Sequence, residues 1–119
     1  MRRTWSEIDL NALAYNFSKM RSMIRQDCKM MCVVKADAYG HGAQMIAKEF
    51  EALGAEWLAV SSLYEAMQIR NFGVKTPILV LGFTPTAMAC TLASNNISQC
   101  GFSLKYLEEL SAEAEKQHL

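Results

Sequence analysis

Apolar residues near the start of the chain recur every three or four positions, which is the spacing of one helix face. The members of this stripe are Leu10, Leu13, Ala14, Phe17, Met20 and Ile24. Asp9 precedes the stripe, and a side-chain oxygen at that position accepts the free backbone N–H groups of a helix start. We therefore expect a helix from Leu10 onward with Asp9 as its N-cap, and we expect Phe17 and Met20 in the core.

Downstream, short apolar runs alternate with helical patterns, and each strand–helix unit takes about twenty residues. The predicted strands are Met31 to Lys35, Trp57 to Ser61, Ile78 to Leu81 and Ile97 to Cys100. The predicted helices follow them over residues 42–53, 62–72, 84–95 and 103–116. Strands that alternate with helices form a parallel sheet. The predicted fold class is α/β, with parallel β/α units preceded by an N-terminal helix.

Local signals predict where these helices begin and which sides face the core. Ser62 and Glu65 fit a capping box, in which a hydroxyl and a carboxylate bind each other's free backbone donors. Thr84 fits an N-cap, with Pro85 in the first helical position. The residues expected to face inward are Met45, Ile46, Phe50 and Leu53 in the second helix and Leu104, Leu107 and Leu110 in the last.

Length and charge narrow the class of protein. The chain has 119 residues, of which 51% are hydrophobic, so one domain with its own core is expected. Twelve basic residues balance twelve acidic ones, so the chain has no excess of positive charge that would attract nucleic acid. No apolar run approaches the ~20 residues that cross a bilayer, and the charged start, Met1 to Arg3, does not resemble a secretory leader. We therefore expect no nucleic-acid or membrane partner and a cytoplasmic location.

The cysteines do not predict a metal or redox site. Cys28, Cys32, Cys90 and Cys100 form no CxxC pair, and the two histidines lie far from each other in sequence. A zinc site needs closer clustering of ligands. We expect reduced thiols, with Cys32 and Cys100 buried in strands as small hydrophobic groups.

A lysine lies at the end of the first predicted strand, followed by a glycine-containing turn. The segment reads Val33-Val34-Lys35-Ala36-Asp37-Ala38-Tyr39-Gly40-His41-Gly42. The carboxyl ends of parallel strands are where α/β folds bind ligands, and a desolvated lysine is a nucleophile toward aldehydes. The simpler alternative is that Lys35 extends from the strand end into water.

This segment resembles the cofactor-lysine motif of alanine racemase, a fold-type III pyridoxal phosphate enzyme. Three more segments are similar to that family's entry segment, second strand with its helix, and third strand: Thr4–Leu13, Trp57–Ala66 and Ile78–Gly82 with Thr84-Pro85. The resemblance runs from about Arg3 through Ser103. It implies that residues 1–119 are the N-terminal part, about half, of a TIM-like (β/α)8 barrel that binds pyridoxal 5'-phosphate. The second barrel half and a C-terminal β-domain would then lie outside this chain.

The resemblance also implies roles for individual residues. Lys35 matches the lysine that binds the cofactor and acts as one of two catalytic bases, and Tyr39 matches the tyrosine that contacts the cofactor phosphate. Leu81 matches a position near the cofactor ring, although a core leucine is the simpler expectation. Asp37 and His41 receive no role. The opposing base, a β-domain tyrosine supplied across a homodimer interface, and the arginine that faces the pyridine nitrogen have no counterpart here.

The implied function of the intact protein is racemisation of L-alanine to D-alanine for peptidoglycan precursors, with this chain inactive by itself. Three alternatives stay open: a racemase of another small amino acid such as serine, a non-catalytic pyridoxal phosphate carrier of similar barrel fold, and a freestanding α/β module with a solvated Lys35. Since four units do not close a barrel, we expect open edges at the first and fourth strands and association of the chain in solution.

Overall fold

The computed structural model describes residues 4–119 of the chain. Arg3, where the resemblance begins, and the charged start at Met1 to Arg3 therefore lie outside the described residues. The strands are β1 Met31–Val33, β2 Trp57–Val60, β3 Ile78–Val80 and β4 Ile97–Gln99. The helical segments are α1 Leu10–Met23, α2 Lys35–Gly40, α3 Ala43–Ala52, α4 Leu63–Asn71, α5 Ala89–Ser94, which follows a 3-10 turn at Thr86–Met88, and α6 Leu104–Lys116.

The four strands form one parallel sheet in the order β1-β2-β3-β4. Val33 pairs with Ala59, and Ala59 pairs in turn with Leu79, which fixes the register of the first three strands. Within residues 4–119, β1 and β4 each pair with a single strand, so both edges are open as expected. The predicted α/β class and the strand order are confirmed.

The helices cover one face of this sheet. Strand residues of one parity point to that face and are buried in a shared core with helix residues such as Ile46 and Ile69. These strand residues are Val34, Leu58, Val60, Ile78, Val80 and Ile97. The opposite face carries residues of the other parity, among which Met31 is 43% exposed and Val33 is 41% exposed. The described chain is therefore a two-layer α/β unit with one open sheet face.

Helix α1 begins where the sequence predicts. Asp9 Oδ1 accepts the backbone N–H of Asn11 at 2.8 Å and of Ala12 at 3.2 Å, which confirms its capping role. Phe17 is buried and packs its ring against Phe50 at a centroid distance of 5.9 Å. The expectation for Met20 is wrong, because this side chain is 64% exposed.

Two other predicted helix faces are also partly wrong. In α3, Ile46 is buried and Phe50 packs against the core as expected, but Met45 is 56% exposed and Ala47 is buried beside Ile46 instead. In α6, Leu104 is 73% exposed and Tyr106 occupies the core position instead. The spacing of the leucines does not show that Tyr106 is the buried residue of α6. Tyr106 takes that place because an aromatic side chain has more apolar area to bury than one leucine.

Thr84 does not cap a helix as predicted. Pro85 is the N-cap of the 3-10 turn, and α5 begins only at Ala89. The Thr84 hydroxyl is fully buried and has no hydrogen-bond partner among residues 4–119. The backbone carbonyl of Thr84 accepts a hydrogen bond from the Tyr106 hydroxyl at 2.8 Å. Helix α6 therefore contacts this loop through the Thr84 backbone.

Charged side chains connect the elements at the N-terminal edge of the sheet. Glu56 pairs with Arg21 of α1 at 2.6 Å and accepts the backbone N–H of Met30 at 2.7 Å. Glu51 accepts the backbone N–H and hydroxyl of Thr76 just before β3. These contacts hold the entries of β1 and β3 and lie at the edge of the sheet opposite Lys35. Of the helices described here, none has the length and apolar character to cross a membrane.

Candidate active site

Lys35 lies at the C-terminal edge of the sheet, where it begins α2. The first strand ends at Val33, two residues earlier than predicted, so Val34 separates β1 from Lys35. The preceding residue, Val34, is fully buried and donates its N–H to Ala59 O at 2.9 Å, so the strand end is fixed to β2. Lys35 itself is partly buried. Its ammonium forms no ion pair or hydrogen bond with any residue in the described range. The structure thus presents an unpaired amine at the sheet edge where the sequence predicts it.

The backbone after Lys35 adopts a conformation that the sequence does not predict. Ala36, Asp37, Ala38 and Tyr39 have φ values between 50° and 57° and ψ values between 35° and 52°, so α2 is a left-handed turn. Each non-glycine residue in this region costs roughly 1–2 kcal/mol. Four in succession persist only where the surroundings fix them, and such strain concentrates at functional sites.

Hydrogen bonds within the segment hold α2 in this form. The Ala38 N–H binds Val34 O at 3.0 Å, and the Gly42 N–H binds Asp37 O at 2.9 Å. Asp37 Oδ1 also accepts the N–H of Ala43 at 2.8 Å, at the start of α3. Asp37, which the sequence left without a role, therefore joins the left-handed turn to the following helix.

Tyr39 and His41 have different environments. The Tyr39 side chain is 61% exposed, and its hydroxyl binds no other residue of the range 4–119. His41 Nδ1 lies 2.8 Å from Ala38 O, and because a carbonyl only accepts, Nδ1 carries the proton in this contact. Tyr39 is therefore free to bind a ligand, whereas His41 stabilises the turn.

Glu65 contacts α2 from the first turn of α4. Its Oε1 accepts the Ala36 N–H at 2.8 Å, and its Oε2 accepts the N–H and the hydroxyl of Ser61, each at 2.7 Å. Burial acts to raise the pKa of Glu65, but hydrogen bonds from Ser61 and the Ala36 backbone outweigh burial and lower this pKa. Ser62 Oγ accepts the Glu65 N–H at 3.3 Å, as the predicted capping box requires. The bond to Ala36 links residues 29 positions apart, and no local signal indicates it.

Leu81 and Gly82 lie at the same edge, after β3. Leu81 is 41% exposed, so the expectation of a core leucine is wrong. A Cβ on Gly82 would lie 2.3 Å from the Ser61 carbonyl oxygen, so only glycine allows the two strand ends to approach this closely. The sequence analysis gave Gly82 no role, although a glycine directly after a buried strand is a signal of close backbone approach.

The cysteines form no disulfide among the described residues. All four are free, and burial followed by the charge of Glu56 raises the pKa of Cys32 to about 11. A thiol with so high a pKa is a poor nucleophile at neutral pH. Cys32 lies in β1 as predicted, whereas Cys100 follows the end of β4, and both are only partly buried rather than buried. Residues 4–119 contain no group of three or more side chains suited to a metal ion.

The C-terminal edge therefore combines an unpaired amine with an exposed phenol on one left-handed turn. An amine can condense with an aldehyde, and a phenol can donate a hydrogen bond to a phosphate oxygen. These are two of the groups that an aldehyde cofactor bearing a phosphate requires. The donor set of this edge fits pyridoxal 5'-phosphate.

Comparison with known proteins identifies the family of this chain. A family model described as "Alanine racemase, N-terminal domain" matches residues 8–119. The curated alanine racemase 1 of Bacillus subtilis (strain 168) is 42% identical over 118 residues, which is 99% of this chain and 30% of that protein. Curated relatives from other bacteria match a similar share, so the chain spans about 30% of the length of the relatives it matches.

Solved structures show the same relationship in three dimensions. An alanine racemase of Clostridium difficile 630 has a TM-score of 0.91 and 34% identity, over 99% of this chain and 31% of that one. The same racemase has been solved in complex with cycloserine. A histidine racemase from Leuconostoc mesenteroides has a TM-score of 0.80 and 25% identity, over 91% of this chain and 29% of that one. The chain thus belongs to the alanine racemase family and corresponds to its N-terminal barrel domain.

Proposed function

We propose that the protein to which this chain contributes racemises alanine and that Lys35 binds its cofactor, pyridoxal 5'-phosphate. The observation that carries the proposal is the unpaired, partly buried Lys35 at the end of β1, followed by the left-handed turn of α2. The family membership supports the reaction type, because curated relatives covering 99% of this chain are alanine racemases.

Pyridoxal 5'-phosphate supplies an electron sink that makes the proton on the substrate Cα acidic. The Lys35 amine would hold the cofactor through its aldehyde and would move the proton on one face of the substrate Cα. The Tyr39 hydroxyl donates to the phosphate and orients the ring relative to Lys35. Both residues act from one turn, so their spacing does not depend on any flexible loop between them.

Racemisation needs a second proton carrier on the opposite face of Cα, because the proton leaves one face and arrives on the other. We propose that this group, the remaining barrel strands and the pyridine-nitrogen ligand come from further sequence and from a homodimer partner. This agrees with a chain that covers 30–31% of its relatives. In the cell, the product would be D-alanine for peptidoglycan precursors made in the cytoplasm.

A second candidate is racemisation of a different amino acid. The histidine racemase from Leuconostoc mesenteroides shares this part of the fold at a TM-score of 0.80, so the same unit supports more than one substrate side chain. Product detection with alanine, serine and histidine, each offered to the intact protein, distinguishes the candidates. Alanine turnover at least tenfold faster than either alternative supports the first proposal.

Covalent labelling tests the role of Lys35 directly. The chain is incubated with pyridoxal 5'-phosphate, reduced with borohydride and mapped by peptide mass spectrometry. We expect the label on Lys35, and we expect Lys35→Arg to lower total labelling at least tenfold, because a guanidinium stays protonated and does not condense with the aldehyde.

Lys75→Arg is the matched control, since Lys75 is exposed and precedes β3 at the opposite edge of the sheet. This variant should label as the unaltered chain does. Label distributed over surface lysines, with no preference for Lys35, contradicts the proposal and favours a solvated lysine in a module that binds no cofactor.

A further inference from the structure

The Glu65 carboxylate connects three backbone segments at the C-terminal edge of the sheet. It belongs to α4, it binds Ser61 at the end of β2, and it binds Ala36 directly after Lys35. Both of its oxygens are used, one for each strand end. Glu65 therefore joins the lysine-bearing segment to the neighbouring β/α unit through a charged group.

This placement differs from that of the other bridging carboxylates. Glu51 and Glu56 bind backbone N–H groups at the entries of β3 and β1, which lie at the N-terminal edge. Residues at that edge of a barrel serve stability, whereas those at the C-terminal edge serve the site. Glu65 is partly buried at the C-terminal edge, and it contacts Ala36, the residue that follows Lys35. The proposed function depends on the Lys35 amine.

The bond to Ala36 acts on a strained position. Ala36 is the first residue of the left-handed run, with φ 50° and ψ 52°. Its N–H binds Glu65 rather than an oxygen within the turn, and a charge-assisted bond of this kind is stronger than a neutral one. Without it, Ala36 loses its partner and can relax to a right-handed conformation. That change would alter the direction of the Lys35 side chain, which precedes Ala36, relative to the Tyr39 side chain, which follows it.

We propose that Glu65 is a positioning residue that fixes Ala36 in the left-handed conformation and thereby aims the Lys35 amine and the Tyr39 hydroxyl at one phosphate-bearing aldehyde. The part concerning the cofactor rests on the proposed function. The part concerning the turn does not, because it follows from the contacts of Glu65 alone.

The test compares two substitutions that both weaken the start of α4. Glu65→Gln keeps the size of the side chain but replaces one accepting oxygen by an NH2 group that only donates, so the contacts with Ala36 and Ser61 cannot both be kept. Ser62→Ala removes the hydroxyl that caps Glu65 N–H and leaves the contact between the carboxylate and Ala36 in place. Hydrogen exchange of the Ala36 amide, measured by NMR, is the readout that does not involve cofactor.

We expect Glu65→Gln to speed exchange of the Ala36 amide about tenfold, which corresponds to about 1.4 kcal/mol. Ser62→Ala should leave that rate within about twofold of the unaltered chain. In the borohydride experiment, the rate of labelling at Lys35 should fall about tenfold in Glu65→Gln and stay unchanged in Ser62→Ala.

The two proposals fail in different ways. Unchanged exchange at Ala36 in Glu65→Gln, or equal changes in both variants, overturns the positioning role whatever the labelling shows. Labelling at Lys35 that is equally fast in Glu65→Gln and the unaltered chain also overturns it. If the unaltered chain takes no label at Lys35, the proposed function is wrong, and exchange at Ala36 alone then decides whether Glu65 fixes the turn.

Discussion

Single side chains in this protein bind backbone groups that are distant in sequence. Glu65 binds Ala36, and Glu51 binds Thr76 from 25 positions away. In both cases a carboxylate satisfies N–H groups that precede or follow a strand, where the sheet itself offers no partner. The identity of the residue matters because a carboxylate accepts several such bonds at once.

Glu51 makes stability depend on pH. Burial acts to raise its pKa, but hydrogen bonds from Lys48, Thr76 and Lys75 outweigh burial and lower the pKa from 4.5 to about 2. Because the folded-state value lies below the unfolded one, this carboxylate stabilises the fold above pH 4.5 and loses that effect as the pH falls toward 2. This stabilisation is fully present at neutral pH.

Glu51→Gln should therefore lower the free energy of unfolding by roughly 2 kcal/mol at neutral pH, and the difference from the unaltered chain should shrink as the pH falls through this range. Urea denaturation at several pH values measures both quantities. Glu108→Gln on the exposed side of α6 is the control and should change little at any pH. A difference that stays constant from neutral to acid pH would contradict the assignment.

At the scale of elements, Arg70 connects α4 to the entries of β3 and β4. Its guanidinium donates to Val74 O at 2.9 Å and Thr76 O at 2.8 Å, and to Asn95 O and Asn96 O, each at 2.8 Å. Four carbonyls from two loops thus share one planar donor group. The loops need this partner because carbonyls outside the sheet ladder have no other donor nearby.

Arg70→Lys should destabilise the chain by about 2–3 kcal/mol, because an ammonium cannot reproduce the fork of the guanidinium. Arg25→Lys is the matched control, since the Arg25 and Asp27 side chains are 79% and 69% exposed and exposed pairs contribute about 0–1 kcal/mol. Urea denaturation compares the two. If both substitutions lower the free energy of unfolding equally, the hydrogen bonds of the Arg70 guanidinium contribute nothing that the positive charge of a lysine does not.

At the scale of the whole molecule, the sheet has one covered face and one open face. Val34, Leu58 and Val80 are fully buried on the covered side, while Met31 and Val33 are more than 40% exposed on the other. Apolar strand residues with an open edge at β1 favour association with another chain. The match to a barrel domain explains why this face is apolar, because strands of a barrel fill its interior with side chains.

We expect the 119-residue chain to associate in solution, and we expect Met31→Gln to weaken that association several-fold. Met23→Gln is the matched control: Met23 is 84% exposed at the end of α1, away from the sheet face, so its replacement should change nothing. Sedimentation across a range of concentrations measures the effect. A monodisperse, cooperatively melting monomer would contradict the expectation.

The sequence by itself determined the alternation of strands and helices, the parallel sheet, the caps at Asp9 and Ser62, and the place of Lys35 near a strand end. These follow from periodicity and from contacts between residues close in sequence, so a local pattern contains them. It also determined the family, because the segment around Lys35 is a long contiguous motif.

Only the tertiary structure decided the left-handed conformation of α2, the reach of Glu65 to Ala36, and the exposure of Met20, Met45 and Leu81. Each depends on which segments the sheet brings together. Ala36 and Glu65 lie 29 positions apart in the sequence, yet strand pairing places the Ala36 nitrogen 2.8 Å from a Glu65 carboxylate oxygen. Alanine disfavours the left-handed conformation, so the sequence around Ala36 does not predict it. A carboxylate distant in sequence holds the residue in that conformation.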